Sequence, residues 1–250
     1  MKDKLLKDIE ILICKNNLKE AIKLTKTNYK KYKDICFLHQ QLKILEKLKK
    51  NKDVITLLLK MIKLQPKDIF LIKKLAYKFF VNKQYKKAIK YYQMVVSLEP
   101  NSSKNYYNLA CAYDYYNKFK EAEYYYNCAL VVNPRDISAL NNLGLIKYTN
   151  KNYTSAIKIF KKAMSINSEH PEAYHHMGII NRDYLNDMEL AVLYLRKARR
   201  LDPKYFNNTY QLALTYQKAQ NTEMAKFEFN NCLKLYSNHK ESIKALKKLN

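Results

Sequence analysis

Length, composition and charge narrow the class of this protein. The chain has 250 residues, of which 48 % are hydrophobic, so it can bury a sizeable core and is not disordered by composition. It has two glycines and five prolines, too few for a glycine-rich nucleotide-binding loop or for the many turns of an all-β fold. The class that remains is a long helical protein.

The formal net charge of +25 has two interpretations. A surplus of this size is typical of proteins that bind nucleic acid or acidic proteins. Nucleic-acid sites favour arginine, whose planar guanidinium makes bidentate contacts, and nearly all the basic residues of this chain are lysines. We therefore expect most lysines to solvate helix surfaces. A nucleic-acid-associated protein with a lysine-rich binding surface is the alternative.

The N-terminal segment and the cysteines bear on location. Asp8 and Glu10 interrupt the first apolar run, so we predict no signal peptide, and no stretch is apolar enough for a membrane span. The five cysteines form no CxxC pair, and free thiols fit a reducing compartment. We expect a cytoplasmic protein, with a nuclear location left open.

From residue 69 onward, small residues recur at a fixed step. Three series advance by 34 residues, each with one step of 35. Their members are Ala76, Ala110, Gly144, Gly178 and Ala213; Ala88, Ala122, Ala156, Ala191 and Ala225; and Val95, Ala129, Ala163, Ala198 and Cys232. The shared longer step assigns one extra residue to the segment between Gly178 and Ala191. The series predict an array of 34-residue repeats.

Residues 103–136 show the organisation of one repeat most clearly. Tyr106 and Tyr113 share one face of a first helix, because residues seven apart lie two turns apart on the same side. Ala122 lies on a second helix, which stops before Pro134 because proline lacks the amide donor. Each repeat is therefore predicted to be a pair of antiparallel helices, whose small residues let the helix axes approach closely.

This pattern resembles the tetratricopeptide repeat family, whose 34-residue helix–turn–helix unit favours small residues at positions 8, 20 and 27 and proline at position 32. The resemblance implies an all-α fold, an α-solenoid that forms a right-handed superhelix of about seven repeats with a C-terminal capping helix. Leu42, Val54 and Met61 fill the small positions of the second repeat, so we expect wider helix spacing or changed helix angles there. The predicted segments are a degenerate repeat over 1–34, repeats over 35–68, 69–102, 103–136, 137–170, 171–205 (with the insertion) and 206–239, and the cap over 240–250.

In the family, the first helices line a concave groove that binds peptides. Carried over to this sequence, the resemblance implies these peptide-binding residues: Lys73, Lys74, Tyr77, Lys104, Tyr107, Asn108, Tyr115, Asn141, Asn142, Tyr148, His176, Arg182, Tyr210 and Gln211. Tyrosines on a rigid scaffold suit binding, because each offers much contact area at little entropic cost.

Position 6 of the repeats is polar throughout. It is occupied by Lys74, Asn108, Asn142, His176 and Gln211. Such a series is similar to the asparagine ladder in the repeats of O-linked N-acetylglucosamine transferase, where amides grip a peptide main chain. The other interpretation is compositional, because asparagine is abundant in this chain. The carboxylate-binding pattern of chaperone adaptors is matched only at Lys73 and Asn108, so a chaperone tail is not the expected partner.

No catalytic, cofactor or metal motif occurs in the sequence. GxSxG, HExxH and P-loop patterns are absent, and the adjacent His175 and His176 diverge on a helix by about 100°. We therefore predict no enzyme, no cofactor, no metal site and no small-molecule substrate. The predicted function is a protein-interaction scaffold or adaptor that binds a protein or peptide partner, as part of a larger assembly. A regulatory arm for an enzyme elsewhere is a further alternative.

Overall fold

The computed structural model describes residues 2–249, which form fifteen α-helices and one π-helical turn without any strand. Seven helix pairs and one final helix amount to fifteen helices, which is the number observed. The predicted all-α fold is confirmed. Met1 of the first predicted repeat and Asn250 of the predicted cap lie outside the described residues. In chain order the helices are α1 (Lys2–Cys14), α2 (Leu18–Tyr32), α3 (Ile35–Lys47), α4 (Asn51–Leu64), α5 (Ile69–Val81), α6 (Tyr85–Leu98), α7 (Ser103–Tyr115), α8 (Phe119–Val132), α9 (Ile137–Thr149), α10 (Tyr153–Ile166), α11 (Pro171–Ile180), α12 (Met188–Leu201), α13 (Phe206–Lys218), α14 (Thr222–Leu235) and α15 (Lys240–Leu249).

The chain divides within α8 into two compact units, residues 1–122 and 123–250. In the first unit, α1 packs on α2, α3 on α4 and α5 on α6, and α6 also contacts α7. In the second unit, the pairs are α9 with α10, α11 with α12 and α13 with α14, and α15 packs on α14. Within each unit, helices that follow each other in sequence are therefore neighbours in space.

Short polar side chains fix where several helices begin. Asp68 and Asp187 accept hydrogen bonds from backbone N–H groups three residues ahead, at 3.1 and 2.9 Å. Asn152 and Asn221 cap α10 and α14 in the same way. Each bond satisfies a donor that the first helical turn leaves open, and such a cap is worth about 1 kcal/mol.

A residue in the left-handed backbone region ends the turn inside most helix pairs. Its φ lies between 54° and 59°, and from the second pair onward these residues are Lys49, Lys83, Asn117, Lys151, Asn186 and Gln220. The step between them is 34 residues, except for 35 between Lys151 and Asn186. Neither glycine of the chain occupies one of these positions.

The extra residue of the sixth repeat lies at a π-helical turn, Asn181–Leu185, which directly continues α11. The backbone N–H of Asn186 donates to the carbonyl of Asn181, five residues earlier, where an α-helix would use four. Since Gly178 still keeps the 34-residue step and Asn186 does not, the insertion belongs to this short stretch.

Small residues lie where the helices of a pair meet. Ala88, Ala122, Ala156, Ala191 and Ala225 have no exposed surface, which confirms their predicted place in the core. At Gly178 an added Cβ would lie 2.5 Å from Cγ of Leu195. Leu42, Val54 and Met61, which replace small residues, are also buried, and the wider helix spacing or changed helix angles expected there stay a prediction.

Candidate functional site

A cleft of about 250 Å³ opens in the first compact unit between α5, α6 and α7. We call it the aromatic cleft, and its lining residues are Tyr77, Phe80, Tyr92, Tyr107, Asn108, Cys111 and Tyr115. The structure thus brings four of the predicted peptide-binding residues, Tyr77, Tyr107, Asn108 and Tyr115, around one cavity. Tyr92, a buried residue of α6, also forms part of the cleft wall, which helical periodicity alone does not reveal.

The rings at the cleft are held by one another. Phe80 meets Tyr115 edge to face, with centroids 5.2 Å apart, and Tyr85 lies 5.7 Å from Phe80. Tyr77 is 56 % exposed and Tyr115 is 62 % exposed. Tyr92 is buried, and burial raises the pKa of its hydroxyl, which stays protonated. The cleft therefore presents an aromatic surface whose lining contains no lysine, arginine, aspartate or glutamate.

The lysines beside the cleft differ in their availability. The Nζ atom of Lys73 lies 2.5 Å from Oε2 of Glu99, and that of Lys74 lies 2.9 Å from Oε2 of Glu46. Both predicted contacts are therefore already paired with carboxylates of the chain. Lys104, on α7, is exposed.

In the second unit, the predicted asparagines are engaged within the chain. Nδ2 of Asn142 donates to the hydroxyl of the fully buried Tyr126 at 3.0 Å. The Asn142 amide, predicted as a peptide-binding group, therefore helps to satisfy a core hydroxyl within the chain. Asn141 is buried, with Nδ2 2.9 Å from Nδ1 of His170.

His176 and Tyr148 form the edge of an aromatic group. The Tyr148 ring lies 6.2 Å from the His176 ring and 5.7 Å from that of Tyr153. His176 also stacks on Phe160, with centroids 5.2 Å apart. Burial, and then the charge of His175, lower the pKa of His176 to about 4, so the ring is neutral at physiological pH.

Arg182, Gln211 and Tyr210 support the structure at the predicted groove positions. The buried Arg182 guanidinium makes a bidentate contact with Asp183, at 2.8 and 2.7 Å, and donates to Oε1 of Gln211 at 2.8 Å. Tyr210 packs beside His239, with ring centroids 4.8 Å apart. Sequence reasoning missed the partners of Arg182, because Arg182 lies in the π-helical turn, where α-helical spacing does not hold.

The described residues contain neither a metal-ligand cluster nor a membrane-spanning helix. Between residues 2 and 249, no three histidine, cysteine or acidic side chains are grouped as metal ligands. The same residues include no helix with the length and apolar character that a membrane crossing demands.

Family models of the tetratricopeptide repeat match four segments of the chain. One model matches residues 137–170, 171–205 and 209–239, and a second matches residues 74–102. Together the matches cover just over half of the chain. No curated protein matches its sequence.

Several solved structures share the fold. The C-terminal part of a tetratricopeptide-repeat protein from Cytophaga hutchinsonii has a TM-score of 0.72 and 21 % identity, with coverage of 96 % of this chain and 99 % of that chain. A tetratricopeptide repeat protein from Parabacteroides merdae has a TM-score of 0.67 and 17 % identity, over 99 % and 97 % of the two chains. YrrB, described as having an unusual peptide-binding site, has a TM-score of 0.59 and 18 % identity, over 76 % and 97 %.

Proposed function

Because the chain belongs to the tetratricopeptide repeat family, whose members serve as protein–protein interaction scaffolds, we propose that it is a non-catalytic adaptor that binds a peptide segment of a protein partner. The observation that carries this proposal is the aromatic cleft. The proposal includes a place in a larger assembly and a cytoplasmic location, which the free cysteines favour.

The cleft suits an apolar side chain on an extended or helical peptide. Tyr77 and Tyr115 expose more than half of their surface, so a partner can remove a large aromatic area from water. The ring of Tyr115 already packs against that of Phe80, which lowers the entropy that Tyr115 loses on binding. The half-buried Asn108 adds an amide that can both donate to and accept from a peptide main chain.

In the second unit, the same proposal divides the predicted residues into two roles. Tyr148 and His176 are only partly buried and remain candidates for contact with the partner. Arg182 and Asn141 are buried and hydrogen-bonded, so we assign them to holding the surface.

Site-directed photo-crosslinking tests the cleft. A photoreactive phenylalanine, p-benzoylphenylalanine, replaces Tyr77 or Tyr115, and the protein is illuminated in an extract of its source cells. We expect a crosslinked partner of defined mass, which mass spectrometry then identifies. The matched control is the same amino acid at Lys90, an exposed position on α6 that does not line the cleft.

The identified partner then allows a quantitative comparison. Tyr77→Ala with Tyr115→Ala should weaken its binding by about 100-fold, since each anchor is worth about 1.4 kcal/mol or more. Equal crosslinking from Lys90, or full affinity in the double variant, would exclude the cleft as the binding site.

A second candidate function is association with nucleic acid. The observation that favours it is a different groove in the first unit. It has a volume of about 560 Å³ between α2 and α4, with an apolar floor that includes Leu45 and Leu57. Five lysines line it: Lys26, Lys30, Lys33, Lys50 and Lys60. We call it the basic groove. Asp53 is the single acidic residue of this lining, so the five lysines leave it with a positive net charge. The groove therefore attracts phosphate groups.

A further inference from the structure

A small pocket in the second unit differs in charge from the rest of the chain. It has a volume of about 190 Å³ and lies between the start of α11 and the loop that leads into α13. We call it the acidic pocket, and its lining residues are Pro171, Glu172, His175, His176, Asp202, Tyr205 and Asn208. The lining contains two carboxylates and no lysine or arginine, although basic residues outnumber acidic ones two to one in the whole chain.

His175 presents a hydrogen-bond acceptor in this pocket. Its side chain is more than nine-tenths buried, and Nδ1 lies 2.8 Å from Oδ1 of Asn208. Nδ2 of Asn208 donates to the backbone carbonyl of Asp202, which orients Oδ1 toward the ring, so Nδ1 of His175 carries the proton. Burial lowers the pKa of His175, and the neutral ring leaves a lone pair on Nε2, which has no partner among the described residues.

The polar groups of the pocket therefore need donors. The carboxylates of Glu172 and Asp202 and the Nε2 atom of His175 all accept hydrogen bonds. Tyr205 adds an aromatic wall, with its ring 5.8 Å from the His175 ring, and aromatic faces attract cations. Glu172 also lies 2.7 Å from Nδ1 of His170, a contact that leaves its second oxygen available.

The size of the pocket limits what can enter it. Its volume is below the roughly 300 Å³ at which pockets for whole small molecules begin. The end of one long side chain is a better match, and the chemistry demands a positive charge with several N–H donors. We infer that the acidic pocket binds the cationic end of a single arginine or lysine side chain from a partner peptide.

This inference rests on the proposed adaptor function only for the source of the side chain. The acidic pocket lies in the second compact unit and the aromatic cleft in the first. The pocket is tested below with small probes and without a partner. A failure here therefore leaves the crosslinking test of the cleft intact, and the reverse also holds.

The test is an NMR titration of protein whose histidine rings carry ¹⁵N and ¹³C. The probes are N-acetyl-arginine amide and N-acetyl-lysine amide, and the matched neutral probes are N-acetyl-citrulline amide and N-acetyl-norleucine amide. We expect saturable shifts of the His175 ring signals with the cationic probes only. Shifts of the same size with the neutral probes, or none with either cation, would overturn the inference.

Two variants test the carboxylates. Glu172→Gln and Asp202→Asn should each weaken binding of the arginine probe by about fivefold, whereas Glu189→Gln, an exposed carboxylate on α12 outside the pocket, should not change it. Circular dichroism checks that the variants fold. If a variant does not fold, the comparison of cationic and neutral probes on the unsubstituted protein still tests the inference. Spermidine is a separate arm of the titration, because polyamines are also cations with several N–H donors. Binding of spermidine without binding of either amino-acid probe would exclude a peptide side chain as the ligand.

Discussion

Folding keeps the side chain of His176 in its neutral form. Its pKa is about 4 in the native protein, compared with the ordinary value of 6.5. Between these two pH values the unfolded chain binds a proton that the native chain does not bind. The free energy of unfolding therefore falls as the pH falls from 6.5 toward 4, and the full contribution of the neutral ring is present above pH 6.5.

Replacement of this ring by one that cannot titrate should remove part of the acid sensitivity. In His176→Phe the stacking on Phe160 can persist, but the proton linkage is gone. Between pH 7 and 4.5, the parent protein should lose about 2–3 kcal/mol more of its unfolding free energy than the variant. Urea denaturation at several pH values measures this difference. An equal loss in both proteins would show that His176 is protonated in the native state.

At the scale of the element, each of the two glycines lies where an added Cβ would meet the partner helix of its pair. An added Cβ at Gly178 would meet Cγ of Leu195 at 2.5 Å and the backbone carbonyl of Ala191 at 3.2 Å, whereas at Gly144 the nearest atoms belong to the Phe160 ring alone. Gly178→Ala should destabilise the protein by about 1–3 kcal/mol, despite the better helix propensity of alanine.

Gly144→Ala is the matched comparison for this prediction. A side-chain ring can tilt away from the new methyl group more easily than a helix backbone can move. Thermal denaturation should therefore rank the parent above Gly144→Ala, and Gly144→Ala above Gly178→Ala. The opposite order would mean that α11 and α12 separate more readily than α9 and α10.

The turns inside the helix pairs carry lysine, asparagine or glutamine where glycine would fit better. A left-handed conformation costs an ordinary residue roughly 1–2 kcal/mol, whereas glycine adopts it freely but loses more entropy on folding. Lys83→Gly and Lys151→Gly should therefore each stabilise the protein by about 0.5–1 kcal/mol. Asn117→Gly should gain less, because asparagine tolerates this conformation.

The control for the turns is a glycine in a regular helix. Lys161→Gly, at an exposed position of α10, should destabilise the protein by about 1 kcal/mol. Melting temperatures report all four variants. A loss of stability in Lys151→Gly would show that the lysine side chain itself stabilises that turn.

At the scale of the whole molecule, the charge of +25 makes salt the variable that separates the two candidate functions. If single-stranded RNA contacts about five phosphates in the basic groove, a rise from 50 to 200 mM salt should weaken its binding by about 100-fold. Lys26→Gln, Lys30→Gln and Lys60→Gln together should flatten this dependence, whereas the same change at Lys90, Lys161 and Lys240 should not. Fluorescence anisotropy measures both slopes, and equal slopes would exclude the groove as an RNA site.

The sequence predicted the repeat, the helix pairs and the small core residues, because each depends on spacing along one chain. It also indicated the cleft residues Tyr77 and Tyr115, since a groove position follows from the repeat number. The partners of Asn142 and Arg182 were not predictable, because they depend on side-chain rotation and on one π-helical turn. Asp202 and Tyr205 carry no periodic signal, because they belong to a loop.

The π-helical turn at Asn181–Leu185 has a consequence for how genes of this kind can change. One added codon in this stretch lengthens the protein, yet Ala191, Ala225 and the helices after them keep their partners. In a β-sheet the same event would invert the inward and outward faces of a strand. In an array of local contacts, the disturbance ends within the turn that absorbs it. Chains that descend from a common array can therefore differ in length by single residues, and their alignment should be anchored on the left-handed turn residue of each pair.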